Sequence, residues 1–351
     1  MTSATPAATW NQTTLLTDRF GRVARDLRVS LTDRCNLRCT YCMPAAGLDW
    51  IPTPDCLTDE ETIRLISLAV QQLGIRQVRF TGGEPLLRKG LEDIISATKN
   101  LTTDITTTVE TAITTNALGL DKRAKQLRAA GLDRVNISLD TLNPARYAQL
   151  TRRDRLSDVL AGIEAADVAG FSPIKINTVV MPGINEDDIL PLAEFCLSHG
   201  YALRFIEQMP LGPRDQWDRD TMITAADILS VLKKRFNFGD AITRGAAPAQ
   251  TWQLSGTIAG EFVNGSVGII GSVTQPFCGA CDRTRLTTDG AIRNCLFSDQ
   301  ETSLRDLMRA GASDMELAAA WRANMWEKKA SHGIGDPAFS QPLRNMSEIG
   351  G

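Results

Sequence analysis

Apolar and polar residues alternate through Leu27-Arg28-Val29-Ser30-Leu31-Thr32, which predicts a strand running straight into the next loop. The same period of two marks further strands at 77–81, 111–116, 134–140, 174–180 and 202–208. Between them the spacing becomes helical. Thr58, with Glu61 three residues on, predicts a capped helix start, and Gly74 its end after Leu73. Helices follow at 91–100, 121–130 (stopped by Gly131), 156–169 (stopped by Gly170) and 187–198. Six strand–helix units predict an α/β fold with a parallel sheet and right-handed crossovers. A closed barrel takes about 250 residues. Six units in about 180 residues therefore point to an incomplete, three-quarter parallel β/α barrel.

One parity of the strands carries Leu27, Val29, Leu31, Val78, Phe80, Val135, Ile137 and Leu139. The other carries Arg28, Ser30, Thr32, Arg79, Thr81, Asn136, Ser138, Asp140, Lys175 and Asn177. Barrel interiors are normally packed with branched apolar side chains, so a polar, basic lumen predicts a bound ligand.

From about residue 210 the rhythm changes. A connection rich in Gly, Pro and charge precedes a helix at 225–236 and short strands at 251–254, 260–263 and 267–270. A cysteine-bearing segment then turns at Asp289-Gly290 and returns to Cys295, followed by one or two amphipathic helices over 304–329 and an irregular tail from Ser331. The expected division is a disordered lead-in at 1–17, a first domain at 18–215, and a C-terminal α+β part at 216–351 closing the barrel's open side.

A net charge of −3 over 351 residues gives no surface-wide field for nucleic acid or anionic membrane, so an anionic substrate needs a local basic cluster. No window holds the roughly 18 consecutive apolar residues of a membrane span. The N-terminus lacks the basic and apolar regions of a secretory signal. Of eight cysteines, six fall into two tight sets, which fits metal ligation in a reducing cytoplasm better than disulfides.

The first set is C-x3-C-x2-C: Cys35, Cys39 and Cys42, with Tyr41 before the last thiol. A structural zinc site wants four ligands, and His199 and His332 are both distant in sequence. Three thiolates on a four-iron cluster leave one iron open to a reactant. Gly82-Gly83 at a strand end lets backbone approach a ligand closely. The second set, Cys278, Cys281 and Cys295, reads as another cluster, with zinc as the competing reading. Cys56 and Cys196 read as small apolar residues. Arg283 and Arg285, two apart on a strand, share a face, and with Arg28, Arg79 and Lys175 they suit a triphosphate.

The cysteine signature with Thr81-Gly82-Gly83-Glu84-Pro85 resembles the radical S-adenosylmethionine (SAM) enzymes. Nearly the whole chain from Asp18 resembles the GTP 3′,8-cyclase family. The similarity lies in LRVSLTDRCNLRCTYCMP, VRFTGGEPLLR, ITTNA, VNISLD, KINTVVMPGIN, LRFIEQMP, FCGACDRTRLTTDG with Cys295, and the terminal Gly350-Gly351. The resemblance implies conversion of GTP to (8S)-3′,8-cyclo-7,8-dihydro-GTP, the first step of molybdenum cofactor biosynthesis, by hydrogen abstraction at C3′ and attack on C8. It implies two [4Fe-4S] clusters, one on each cysteine set, and SAM held by Tyr41, Gly83, Ser138 and Met209. It assigns GTP to Arg28, Arg79, Thr114, Lys175, Arg283, Thr284 and Arg285, with Arg28, Arg283 and Arg285 in catalysis, and threads Gly350-Gly351 into the site. It further implies a cytoplasmic homodimer, an electron donor, and hand-over of product to a cyclic pyranopterin monophosphate synthase, with no nucleic acid or membrane partner. Ala117 departs from the family's usual Gly, which bears on a local turn. Two other readings stay open: a peptide-modifying radical SAM enzyme with an auxiliary cluster, and a non-catalytic zinc-binding module.

Overall fold

A computed structural model describes residues 15–213, 217–336 and 339–350. Strands β1 (Asp26–Ser30), β2 (Gln77–Thr81), β3 (Glu110–Thr115), β4 (Arg134–Ser138), β5 (Ile174–Val180) and β6 (Ala202–Glu207) form in the predicted order and pair in parallel. Their apolar parity is the core: Leu27, Val29, Val78, Phe80, Val135, Ile137, Ile176, Leu203 and Phe205 are each at most 3% exposed. Helices α1 (Asp59–Leu73), α2 (Leu91–Lys99), α3 (Leu120–Ala129), α4 (Pro144–Thr151), α5 (Leu156–Val168) and α6 (Ile189–Ser198) intervene. Thr58 and Glu61 close the expected capping box on α1, and Gly74 ends it at φ 79°. The helix buries Leu65, Ile66, Val70 and Leu73, each worth about 1.5–3 kcal/mol as an upper estimate.

Helix α4 is absent from the predicted list although its signal is present. Asn143 caps it, its side chain accepting from Arg146 N at 3.0 Å, and Pro144 occupies the first turn.

The C-terminal elements are α7 (Ala225–Lys233), β7 (Asn237–Ile242), β8 (Gln250–Ile258), β9 (Glu261–Ile270), β10 (Arg283–Leu286), β11 (Ala291–Arg293), β12 (Thr302–Ser303), α8 (Leu304–Arg309), α9 (Asp314–Trp326) and α10 (Met346–Ile349). The strands at 260–263 and 267–270 are one continuous β9. The tail, expected to be irregular, carries the capped turn α10, with Asn345 and Glu348 forming its capping box. Among the described residues the strands form one twelve-stranded sheet in the order β12-β11-β10-β1-β2-β3-β4-β5-β6-β9-β8-β7. Strand β10 joins β1 and β9 joins β6, both in parallel, so the C-terminal residues extend both edges of the first sheet.

The boundary near 215 and residues 1–14 of the lead-in lie outside the described residues. Leu16 and Thr17, also assigned to the lead-in, are folded. Leu16 is fully buried, and Thr17 bridges Val23.

Gly82 and Gly83 end β2 against the cysteine loop. Gly83 N donates to Thr32 O at 2.6 Å, and Glu84 N to Arg34 O at 2.8 Å. A Cβ on Gly83 would lie 2.3 Å from Arg34 O and 2.4 Å from Asp33 O, both backbone atoms that no rotamer change relieves. Gly83→Ala should therefore destabilise the protein by about 2 kcal/mol and lower iron content on the first cysteine set. Gly239→Ala, whose Cβ meets nothing nearer than 3.6 Å, should do neither. Thermal melts with iron analysis of both variants check this, and equal melting of the two would refute it.

Candidate active site

The first cysteine set follows β1 on a loop held by its neighbours. Cys42 N and Met43 N both donate to Cys39 O, at 3.0 and 3.1 Å, forming one tight turn. Arg38 N donates to Thr151 O, and Arg152 at the end of α4 returns bonds to Arg38 O and Met43 O. Burial pushes the Cys35 thiol up to about 11 and Cys42 up to about 12, and Cys39 is raised well above its usual range. For Cys39, repulsion from the other two thiolates adds to burial, so the three thiols are close neighbours. Such a set ionises only beside a strong positive charge, and all-sulfur donors fit an iron–sulfur cluster.

Carboxylates brace this end of the site. Tyr41 Oη donates to Asp140 Oδ2 at 2.9 Å, and Asp140, raised by burial to about 6, also accepts from Val179 N. Glu84, raised by burial to about 7, accepts from Thr115 Oγ1 and Asn116 N, both at 2.7 Å. Ala117 takes φ 65°, the left-handed conformation that favours Gly at this turn.

Asp289-Gly290 makes the predicted hairpin between β10 and β11, pairing Arg285 with Arg293 and bringing Cys295 back toward Cys278 and Cys281. Burial opposes ionisation of Cys278, but hydrogen bonding from His332 outweighs it and holds the thiol near 7. Burial likewise opposes ionisation of Cys281, and the charges of Lys328 and Arg283 lower it overall. Among the described residues no three His, Cys, Asp or Glu side chains converge on a single metal-ion position. The same holds for the first set, and the second is characterised by its three thiols, His332 beside Cys278 and cationic surroundings.

Both sets line one cavity. So do Tyr41, Gly83, Ser138, Met209 and Thr114, and also Arg28, Arg79, Arg204, Arg283 and Arg285. Asp26 lies among these guanidiniums, 3.6 Å from Arg283 Nε and 4.0 Å from Arg79 Nη2. Burial disfavours its charge, but the surrounding arginines hold its carboxyl below the usual range. Burial and then mutual repulsion bring Arg28 well below its ordinary value and Arg204 to about 10. Burial holds Arg285 at about 10. Nε of Arg28, Arg79 and Arg283 has no hydrogen-bond partner among the described residues. Arg285 donates to the carbonyl of Gly350, which packs against Ser30 and Thr81. Gly351 lies outside the described residues.

Two predicted contacts sit elsewhere. Thr284, on the opposite parity of β10, is fully buried and accepts from Trp321 Nε1 at 3.0 Å. Lys175 lies outside the cavity lining, and burial, then Arg204, Arg134 and Arg79, bring it to about 7. Arg204 and Asp26 were missed. Arg204 had a signal, since Leu203-Arg204-Phe205 repeats the alternation that exposed Arg28 and Arg79.

Two family models match the chain: the radical SAM superfamily over residues 29–196, and Molybdenum Cofactor Synthesis C over residues 201–334. A GTP 3′,8-cyclase of Corynebacterium glutamicum is 64% identical, the match covering 96% of this chain and 89% of that one. Another, from Mycobacterium sp. strain KMS, is 55% identical over 100% of this chain and 97% of the relative. The crystal structure of Streptococcus suis SuiB is similar in fold, with a TM-score of 0.54 at 14% identity, over 89% of this chain and 68% of that one. By whole-length identity to these relatives, the chain belongs to the GTP 3′,8-cyclase family.

Proposed function

We propose that this protein converts GTP to (8S)-3′,8-cyclo-7,8-dihydro-GTP. The carrying observation is the cavity that unites five arginines with both cysteine sets, with Asp26 as the acidic partner of Arg79 and Arg283. In this reading Cys35, Cys39 and Cys42 hold a [4Fe-4S] cluster with SAM, and Cys278, Cys281 and Cys295 hold a second. The cluster–SAM pair supplies, when bound, a radical strong enough to take hydrogen from a ribose carbon.

The chain's own residues bind, orient and exclude water. Arg28, Arg79, Arg204, Arg283 and Arg285 receive the triphosphate, whose charge relieves their mutual repulsion and fills the free Nε–H groups of Arg28, Arg79 and Arg283. Tyr41, fixed by Asp140, and Ser138, Gly83 and Met209 hold SAM at the opposite end from the second set. Ile270, Phe277, Leu296 and Phe297 line the same cavity and keep water from the reacting carbons. Fixing C3′ against C8 turns ring closure into a positioning problem, in which well-oriented groups gain about 7–11 kcal/mol.

Strands from β10 through β6 all present side chains to this one cavity, which fits a sheet curved into an incomplete barrel. The electron donor, homodimer, cytoplasmic location and hand-over to a cyclic pyranopterin monophosphate synthase belong to the same proposal. Among the described residues no helix is long and apolar enough to cross a membrane. The likeness to SuiB at 14% identity concerns fold, so peptide modification gains no separate support.

Anaerobically reconstituted protein given reductant, SAM and GTP deuterated at C3′ should release deuterated 5′-deoxyadenosine, read by mass spectrometry. Unlabelled 5′-deoxyadenosine formed at the same rate without GTP would refute the substrate. Arg285→Ala should lower kcat/KM for GTP by about 100-fold with the iron content of both sets unchanged.

Lys175, outside the cavity lining but within electrostatic reach of Arg204 and Arg79, adds a pH signature. Its pKa in the free protein is about 7, and a nearby triphosphate favours the charged form. GTP affinity should thus be full below pH 7 and fall as pH rises above it, with proton uptake on binding near about pH 8. Calorimetry in buffers of different ionisation enthalpy should detect that uptake in the wild type and lose it in Lys175→Met. Equal uptake in both would remove Lys175 from the clamp.

A further inference from the structure

Lys328 follows α9 and is 2% exposed, an ammonium almost wholly withdrawn from water. Its Nζ donates to Arg283 O at 2.7 Å and lies 3.4 Å from both Cys281 O and Cys281 Sγ. These contacts are two carbonyls and a sulfur, with no carboxylate among them. A buried ammonium so placed is costly unless a negative charge forms beside it. The Asp282 carboxylate acts on this ammonium only from longer range, and the group in direct contact that could carry the charge is the Cys281 sulfur, at 3.4 Å.

The segment around Lys328 is fixed from outside. Arg22 donates to Cys278 O at 2.6 Å, Lys329 O at 2.6 Å and Ala330 O at 3.0 Å, tying the cysteine loop to the end of α9. Asp18 Oδ2 holds the same guanidinium at 2.5 Å. Lys328 therefore approaches Cys281 from a braced backbone.

The two cysteine sets differ in this respect. Cys35 receives Leu37 N at 3.4 Å and Asn116 Nδ2 at 3.8 Å, both neutral donors. Cys281 receives the Lys328 ammonium at 3.4 Å and the Arg283 guanidinium at 3.9 Å. Hydrogen bonds and positive charge at a ligand sulfur favour the more negative, reduced state of a cluster and so raise its potential.

We propose that Lys328 is a positioning residue of the second set. Its buried ammonium orients the Cys281 sulfur and raises the reduction potential of the cluster there. The inference rests on the reading that Cys278, Cys281 and Cys295 hold an iron–sulfur cluster.

The test uses the full chain with Cys35, Cys39 and Cys42 changed to Ala, so that only the second set contributes a signal. Iron, sulfide and zinc are measured after anaerobic reconstitution, followed by potentiometric titration read by electron paramagnetic resonance. Lys328→Met should lower the midpoint potential, Lys328→Gln should lower it less, and Lys328→Arg should restore most of it. If Lys328→Met fails to assemble a cluster, the Gln and Arg variants decide by the same ordering. Midpoints equal to that of the parent in the Met variant, or in both Gln and Arg when Met does not assemble, overturn the role of Lys328 and leave the cluster reading intact. Zinc without sulfide in the parent overturns both.

Discussion

Like charges crowded away from water dominate this structure. Arg28, Arg79, Arg204, Arg283 and Arg285 face a common cavity, and Asp26 sits among them. Two unit charges 4 Å apart interact by about 4 kcal/mol at an effective dielectric near 20. Several guanidiniums repelling one another across one cavity are tolerated because the surrounding core over-determines the strands that carry them. An anion of high charge would relieve that repulsion, which is what favours the triphosphate reading of this cavity. Asp26 keeps the cluster foldable: it pairs with Arg79 and Arg283 and leaves the others for ligand.

Much of this was legible because strand side chains alternate. Arg28, Arg79 and Lys175 fell on the lumenal parity of an alternation whose other face, Leu27, Val29, Val78 and Phe80, is now core. The same rule placed Arg283 and Arg285 together and puts Thr284 on the far side, where Trp321 takes its hydroxyl. Cysteine spacing and the Asp289-Gly290 turn gave both thiol sets, because each is local in sequence. Pairing between distant segments was not legible. Nothing within 283–286 states that it will add to β1, nor within 261–270 that it will add to β6. Lys175 was placed on the right face, but parity does not encode depth along a strand, and it lies outside the cavity lining. Asp26 escaped because it precedes the alternating run and shows its role only once β10 lies beside it.

That long-range pairing also decides how the halves of the chain depend on one another. In the register of β1 with β10, Asp26 sits opposite Arg283 and Arg28 opposite Arg285. The carboxylate that tempers the arginines thus comes from the segment leading to the first cysteine set, and two of the arginines come from within the second set, between Cys281 and Cys295. The N-terminal loop reinforces this from below through Arg22, which ties Cys278 to the end of α9. Neither half alone supplies all five arginines of the cavity. Shifting β10 by one residue along β1 would turn Arg283 and Arg285 into the core and Thr284 to the cavity, since side chains alternate with period two. One sheet register therefore fixes the spacing between the two cysteine sets and the charge that lies between them.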